Sequence, residues 1–109
     1  MSQIKAQVND LAADFPPIDE ASARPAVKRL SPGVVLFSFG PGQSLNDHKA
    51  VHPISVQVLD GAIDFGVGEE VYHLTAGSLL QLDKLVIHRV DNHGTEPAHM
   101  VLSMLCPPK

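Results

Sequence analysis

From residue 26 onward the apolar side chains come in short blocks. AVKRL (26–30), VVLFSF (34–39), ISVQVL (54–59), AIDFGV (62–67), EVYHL (70–74), SLLQL (78–82), LVIHRV (85–90) and HMVLSML (99–105) are rich in Val, Ile, Leu and Phe. Turn formers separate them: PG at 32–33 and 41–42, DG at 60–61, GVGE after 65, AG at 76–77 and NHG at 92–94. Short β-prone blocks broken about every eight to twelve residues by such turns predict an all-β sandwich or barrel. The start of the chain follows a different period. Ile4, Val8, Leu11 and Phe15 recur at three- to four-residue spacing, which puts one apolar stripe on a short helix, and Pro16 and Pro17 stop it. The chain therefore divides into an N-terminal helical segment, 1–17, and a β-domain, 18–109.

Several blocks are apolar on both faces. Val35, Phe37 and Phe39 point one way from their strand, Val34 and Leu36 the other; Met100, Leu102 and Met104 oppose Val101 and Leu105. The Met face is expected to line the barrel. A strand half exposed to water carries polar residues on its outer face, so the second apolar face predicts a partner surface: a homodimer that buries a β-face.

Composition narrows the function classes. A chain of 109 residues has room for one core. Its formal net charge of −4 and its lack of a Lys/Arg cluster disfavour nucleic acid, whose phosphates need a basic face. No apolar run approaches the roughly 20 residues that span a bilayer. The acidic residues in MSQIKAQVNDLAADF do not suit a signal peptide. The single cysteine, Cys106, excludes an internal disulfide and suits a reducing cytoplasm.

The histidines carry the candidate chemistry. GQSLNDHKAVHPISVQVLDG, residues 42–61, holds His48 and His52 ahead of an apolar strand that ends in an Asp-Gly turn. GSLLQLDKLVIHRVDN, residues 77–92, holds His88. Together these segments resemble the two motifs of the cupin superfamily: Gly42, His48 and Gly61 match the first, and Gly77, His88 and Asn92 the second. The resemblance runs from about Val34 to Leu105 and implies a small double-stranded β-helix barrel of the jelly-roll kind. In that family three histidines and a glutamate face a metal. Here the second histidine falls on Ala50 and the glutamate on Ile54, while the second motif's proline and glycine are Asp83 and Leu85. The resemblance thus implies a site with two matching ligands, His48 and His88.

His52 is the candidate third ligand. In an unbroken strand His48, Ala50, His52 and Ile54 share a face, but His52 then lies about 13 Å from His48. A bend at Pro53 would have to bring them together. Three imidazoles would suit one divalent transition metal, Zn, Fe, Ni, Cu or Mn, with open positions for catalysis or ligand binding. Asp47 and Asp83 are alternative carboxylates. Without metal, His48 and His88 become hydrogen-bonding pocket residues.

The expected pocket is small and lined by Ile54, Val56, Met100 and Met104 beside the histidines. His73 is expected on the outer sheet surface, His93 in a solvated loop, and His99 outside or at an interface. Gln57 is expected to make an intersheet or dimer hydrogen bond. Two functions stand: a cupin acting on a small organic molecule, with or without a metal as Lewis acid or activator of water or oxygen, and a metal-free, non-catalytic ligand-binding or sensory module. The fold alone does not choose between them.

Overall fold

The computed structural model describes residues 6–105; Ile4 and Cys106 lie outside that range. One helix and nine strands follow in order: α1 (Leu11–Asp14), β1 (Ala26–Ser31), β2 (Val34–Phe39), β3 (Ser44–His48), β4 (Ile54–Asp60), β5 (Ala62–Val67), β6 (Glu70–Thr75), β7 (Leu79–Leu82), β8 (His88–Asp91) and β9 (Ala98–Met104). They form a five-stranded sheet, β1-β2-β9-β4-β7, and a four-stranded sheet, β3-β8-β5-β6, with every strand pair antiparallel. The architecture is the double-stranded β-helix with a short N-terminal helix.

The inner faces fill the barrel with Phe37, Phe39, Val56, Val58, Ile63, Phe65, Val90 and Met100. Full burial of one such side chain favours folding by roughly 1.5–3 kcal/mol. Met100 is in the core, and Leu102 and Met104 pack against it, so the Met face does point inward. The tight turn that carries the chain from β4 in one sheet to β5 in the other depends on a glycine. Gly61 has φ +74°, and a Cβ there would stand 2.3 Å from the Pro97 carbonyl oxygen.

Five local expectations change. The helix covers only four residues and Val8 is exposed ahead of it; an isolated turn of helix lacks the length to propagate. Phe15 instead lays its ring 4.9 Å from that of His99, on the outer face of the five-stranded sheet. Leu36, which pointed to a partner, is fully buried within one chain, so its apolar character needs no second copy. The strand expected over 85–90 begins only at His88, because Leu85 has φ +63° and breaks it. Finally, β3 is a strand that its polar sequence, SLNDH, concealed: it is an edge strand, free of the need for two apolar faces. Gln57 is exposed on the outer face of β4 and makes no side-chain hydrogen bond among the described residues.

Candidate metal and ligand site

His48 and His88 meet at one end of the four-stranded sheet. β3 ends at His48 and β8 begins at His88, and the two are cross-strand partners. A bulge between Leu45 and His48 makes this possible. Leu45 pairs with Val90 and packs against the core, so a regular strand would send Asp47 inward and His48 out. One extra residue reverses that and turns His48 into the barrel, a common use of bulges near sites. The next strand continues the row, since Val67 pairs with His88.

The two rings lie 4.2 Å apart, centroid to centroid, in an edge-to-face arrangement. Phe65 stacks on His88 from the core side at 5.2 Å and 9° between planes. His88 Nδ1–H donates to the Val86 carbonyl at 2.9 Å, and His48 Nδ1–H donates to the Asn46 carbonyl at 2.6 Å. These bonds assign the same tautomer to both rings and leave each Nε2 as a lone-pair acceptor, as at metal-ligating histidines whose other ring nitrogen donates to a backbone carbonyl. Among the described residues neither Nε2 has a hydrogen-bond partner. His88 is 2% exposed, yet Ser38 Oγ is the only fully enclosed side-chain polar atom left without a partner among those residues. His88 Nε2 is therefore not sealed from solvent. Burial pushes the His88 imidazole below its ordinary pKa against the opposing pull of the Val86 carbonyl, and His48 adds to the lowering. The ring is neutral at physiological pH, as a ligand to metal must be.

His52 does not join this pair. The chain leaves strand geometry after His48 and regains it only at Ile54, with a bend at 51–52. Among the described residues no three of His, Cys, Asp or Glu converge on a metal position, so neither His52, Asp47 nor Asp83 completes a three-ligand set. Asp47, one residue from His48, faces the opposite side. There it lines a 520 Å³ hollow with Arg89, Leu85, Val86 and Ile87.

The expected pocket lining is also displaced. Ile54, Val56 and Met100 are solid core, 0–2% exposed, because inward side chains of both sheets interlock there. Met104 is partly buried against them. A 370 Å³ slot between the sheet edges β6 and β7 is lined by Val67, the cross-strand partner of His88, with Tyr72, Leu74, Leu80 and Leu82. Val67 borders this slot and the 520 Å³ hollow alike. The site is thus a pair of imidazole acceptors at the barrel mouth beside an apolar slot.

A second polar cluster, absent from the sequence reading, occupies the outer face of the same sheet. Asp64 accepts from His73 Nδ1–H at 2.7 Å and from His93 Nδ1–H at 2.8 Å. These two bonds hold the Asp64 carboxyl below its ordinary value. Beside it Arg89 donates twice to Asp91, both at 2.9 Å, and Ser44 Oγ donates to it at 2.6 Å. The signal was cross-strand register: Ser44, Asp91, Asp64 and His73 stand in one row across four strands. His73 and His93 are exposed, as expected, but both Nδ1 atoms are committed to the carboxylate. His99, on the outer face of the other sheet, donates to Asp60.

Among solved structures, the conserved SPY1581 protein of unknown function from Streptococcus pyogenes is similar at TM-score 0.75 and 21% identity, over 98% of this chain and 93% of that one. TT1209 from Thermus thermophilus is similar at TM-score 0.78 and 23% identity, over 94% of this chain and all of that one. The Cupin_2 domain of an XRE family transcriptional regulator from Enterobacter cloacae is similar at TM-score 0.63 and 22% identity, over 77% and 98%. No functionally curated protein matches the sequence. The Cupin domain family, Cupin_2, matches residues 35–104, the span that holds the bulged His48, its partner His88, strands β3 to β9 and all of β2 but Val34. The chain belongs to the cupin superfamily.

Proposed function

We propose that this cupin binds a small organic molecule at the barrel mouth, with a divalent transition metal held by Nε2 of His48 and His88. The observation that carries this is the shared tautomer of the two facing imidazoles, each anchored at Nδ1 with Nε2 free. Two ligands leave most of a metal's coordination positions to water or to the bound molecule. When bound, the metal supplies Lewis-acid polarisation. The chain's own part is to anchor both rings at Nδ1, to keep His88 neutral by burial, and to offer an apolar slot for the rest of the molecule. We further propose that the protein acts as a homodimer in the cytoplasm, the compartment that a single cysteine in 109 residues suits.

The second reading is a metal-free ligand-binding or sensory module. It is favoured by the absence of a third metal ligand among the described residues and by the likeness to a regulator's Cupin_2 domain. The two Nε2 acceptors would then select a hydroxyl or amine donor.

Metal analysis of protein purified without added metal, repeated after reconstitution with Zn, Fe, Ni, Cu or Mn, separates the two. Near-stoichiometric metal that is lost in His48→Ala and in His88→Ala supports the metalloprotein. No retained metal after reconstitution removes it in favour of the sensor.

A further inference from the structure

Loops are ordinarily polar, because they run over the surface. The two loops at the barrel mouth are not. Val51 is 71% exposed on the 49–53 loop, and Leu85 and Ile87 are 54% and 55% exposed on the 83–87 loop. The loops are tied together by Leu85 N–H donating to the Ala50 carbonyl at 2.8 Å. Leu85 also holds φ +63°, a conformation that a bulky residue rarely adopts. Such strain persists only where the surroundings fix it, and it gathers at functional positions. Here it lifts an apolar side chain into solvent.

We propose that a second copy of this chain docks on this end of the barrel, loop against loop about a twofold axis. The proposal rests on the homodimer suggested above and not on metal binding. A twofold interface must be complementary to itself, and this surface has both halves of the match. Leu85 and Ile87 project from it, and the 520 Å³ hollow that they border recedes from it. Two exposed acids, Asp47 and Asp83, stand among two exposed bases, Lys49 and Lys84. None of the four has an ion-pair partner among the described residues, so each can face the opposite charge on the other copy. The outer face of the five-stranded sheet fits less well: Ser55, Gln57 and Ser103 interleave there with Val101 and Leu79, as on a solvated sheet. Such a dimer would pair the 49–53 and 83–87 loops of the two copies and leave the slot between β6 and β7 open.

Sedimentation equilibrium of the full chain tests this. The wild type should have twice the 11.7 kDa chain mass. Leu85→Asp and Ile87→Asp should each raise the dimer dissociation constant at least about tenfold, with unchanged far-UV circular dichroism. Leu85→Gly relieves the left-handed backbone and removes the apolar side chain, so it should weaken the dimer without unfolding the barrel. Leu79→Asp, on the sheet edge, should remain dimeric. A monomeric wild type overturns the proposal, as does a dimer that survives Leu85→Gly or dissolves on Leu79→Asp. Metal content measured on the same samples keeps the readings apart: His48→Ala should lose metal and stay dimeric.

Discussion

The two ends of the barrel bury polar side chains in opposite ways. At the end where β8 finishes, Asn92 is 1% exposed and fully occupied: its amide donates to the Phe39 and Glu96 carbonyls and its oxygen accepts from Gly94 N–H. Gln43 beside it donates to the Asp19 and Ser22 carbonyls and accepts from Gly40 N–H. At the other end, where β8 begins, His88 is equally buried but uses only one nitrogen. The lesson concerns what burial means. A buried polar group whose bonds are all made is structural, and here Gln43 and Asn92 hold the chain before and after the sheets. A buried group with a free acceptor is what the proposed metal or ligand site requires.

That contrast can be broken by experiment. The largest effect is expected for Asn92→Ala, which strands the buried Phe39 carbonyl, the Glu96 carbonyl and the Gly94 N–H and should cost about 2–4 kcal/mol in urea unfolding. Gln43→Ala should follow at about 2–3 kcal/mol. Neither should change metal content, and a metal loss in the folded Asn92→Ala protein would erase the distinction between the ends. His88→Ala should cost about 1–2 kcal/mol, chiefly through lost packing on Phe65, and should abolish metal binding. His48→Ala should abolish it at less than about 1 kcal/mol.

A smaller effect sharpens the same comparison through pH. Burial lowers the folded-state pKa of His88 below its ordinary 6.5. The unfolded chain then binds the proton first, so stability should decline as pH falls from 6.5 towards the folded value. Urea unfolding of metal-free protein across that window should show the slope, and His88→Phe should remove its share. Asp64 and Asp91, lowered by His73 and Arg89 respectively, act in a separate window. Their stabilisation is complete above their ordinary 3.8 and is lost as pH falls through their folded values. Smallest of all, His52→Ala should leave stability and metal content unchanged, since the ring lies outside the pair.

Much of the fold was legible in the order of the residues. Alternation in ISVQVL and AIDFGV, with Gly61 between them, marks two strands joined by a tight turn, because side chains of period two must split between two faces; that this turn leads from one sheet to the other is a matter of tertiary structure. The apolar 34–39 and 99–104 blocks had to be central strands, and they pair with each other. The cupin resemblance rested on Gly42, His48, Gly61, Gly77, His88 and Asn92, spaced by turns that local geometry demands. His48 and His88 were therefore recognisable as partners before any coordinates.

Tertiary structure decided the rest. Parity along β3 cannot reveal the bulge that turns His48 inward, since an extra residue is defined only against the strand opposite. The same holds for His52, whose place depended on where the strand stopped, and for the Asp64 cluster, whose members are neighbours only across strands. Ile54, Val56 and Met100 are apolar in either case; whether they wall a cavity or fill it depends on how closely the two sheets approach. The sequence by itself determined which residues prefer the inside of a β-barrel, because that preference belongs to each side chain. Which of them touch, and which nitrogen is left free, is a property of pairs, and only the folded chain contains it.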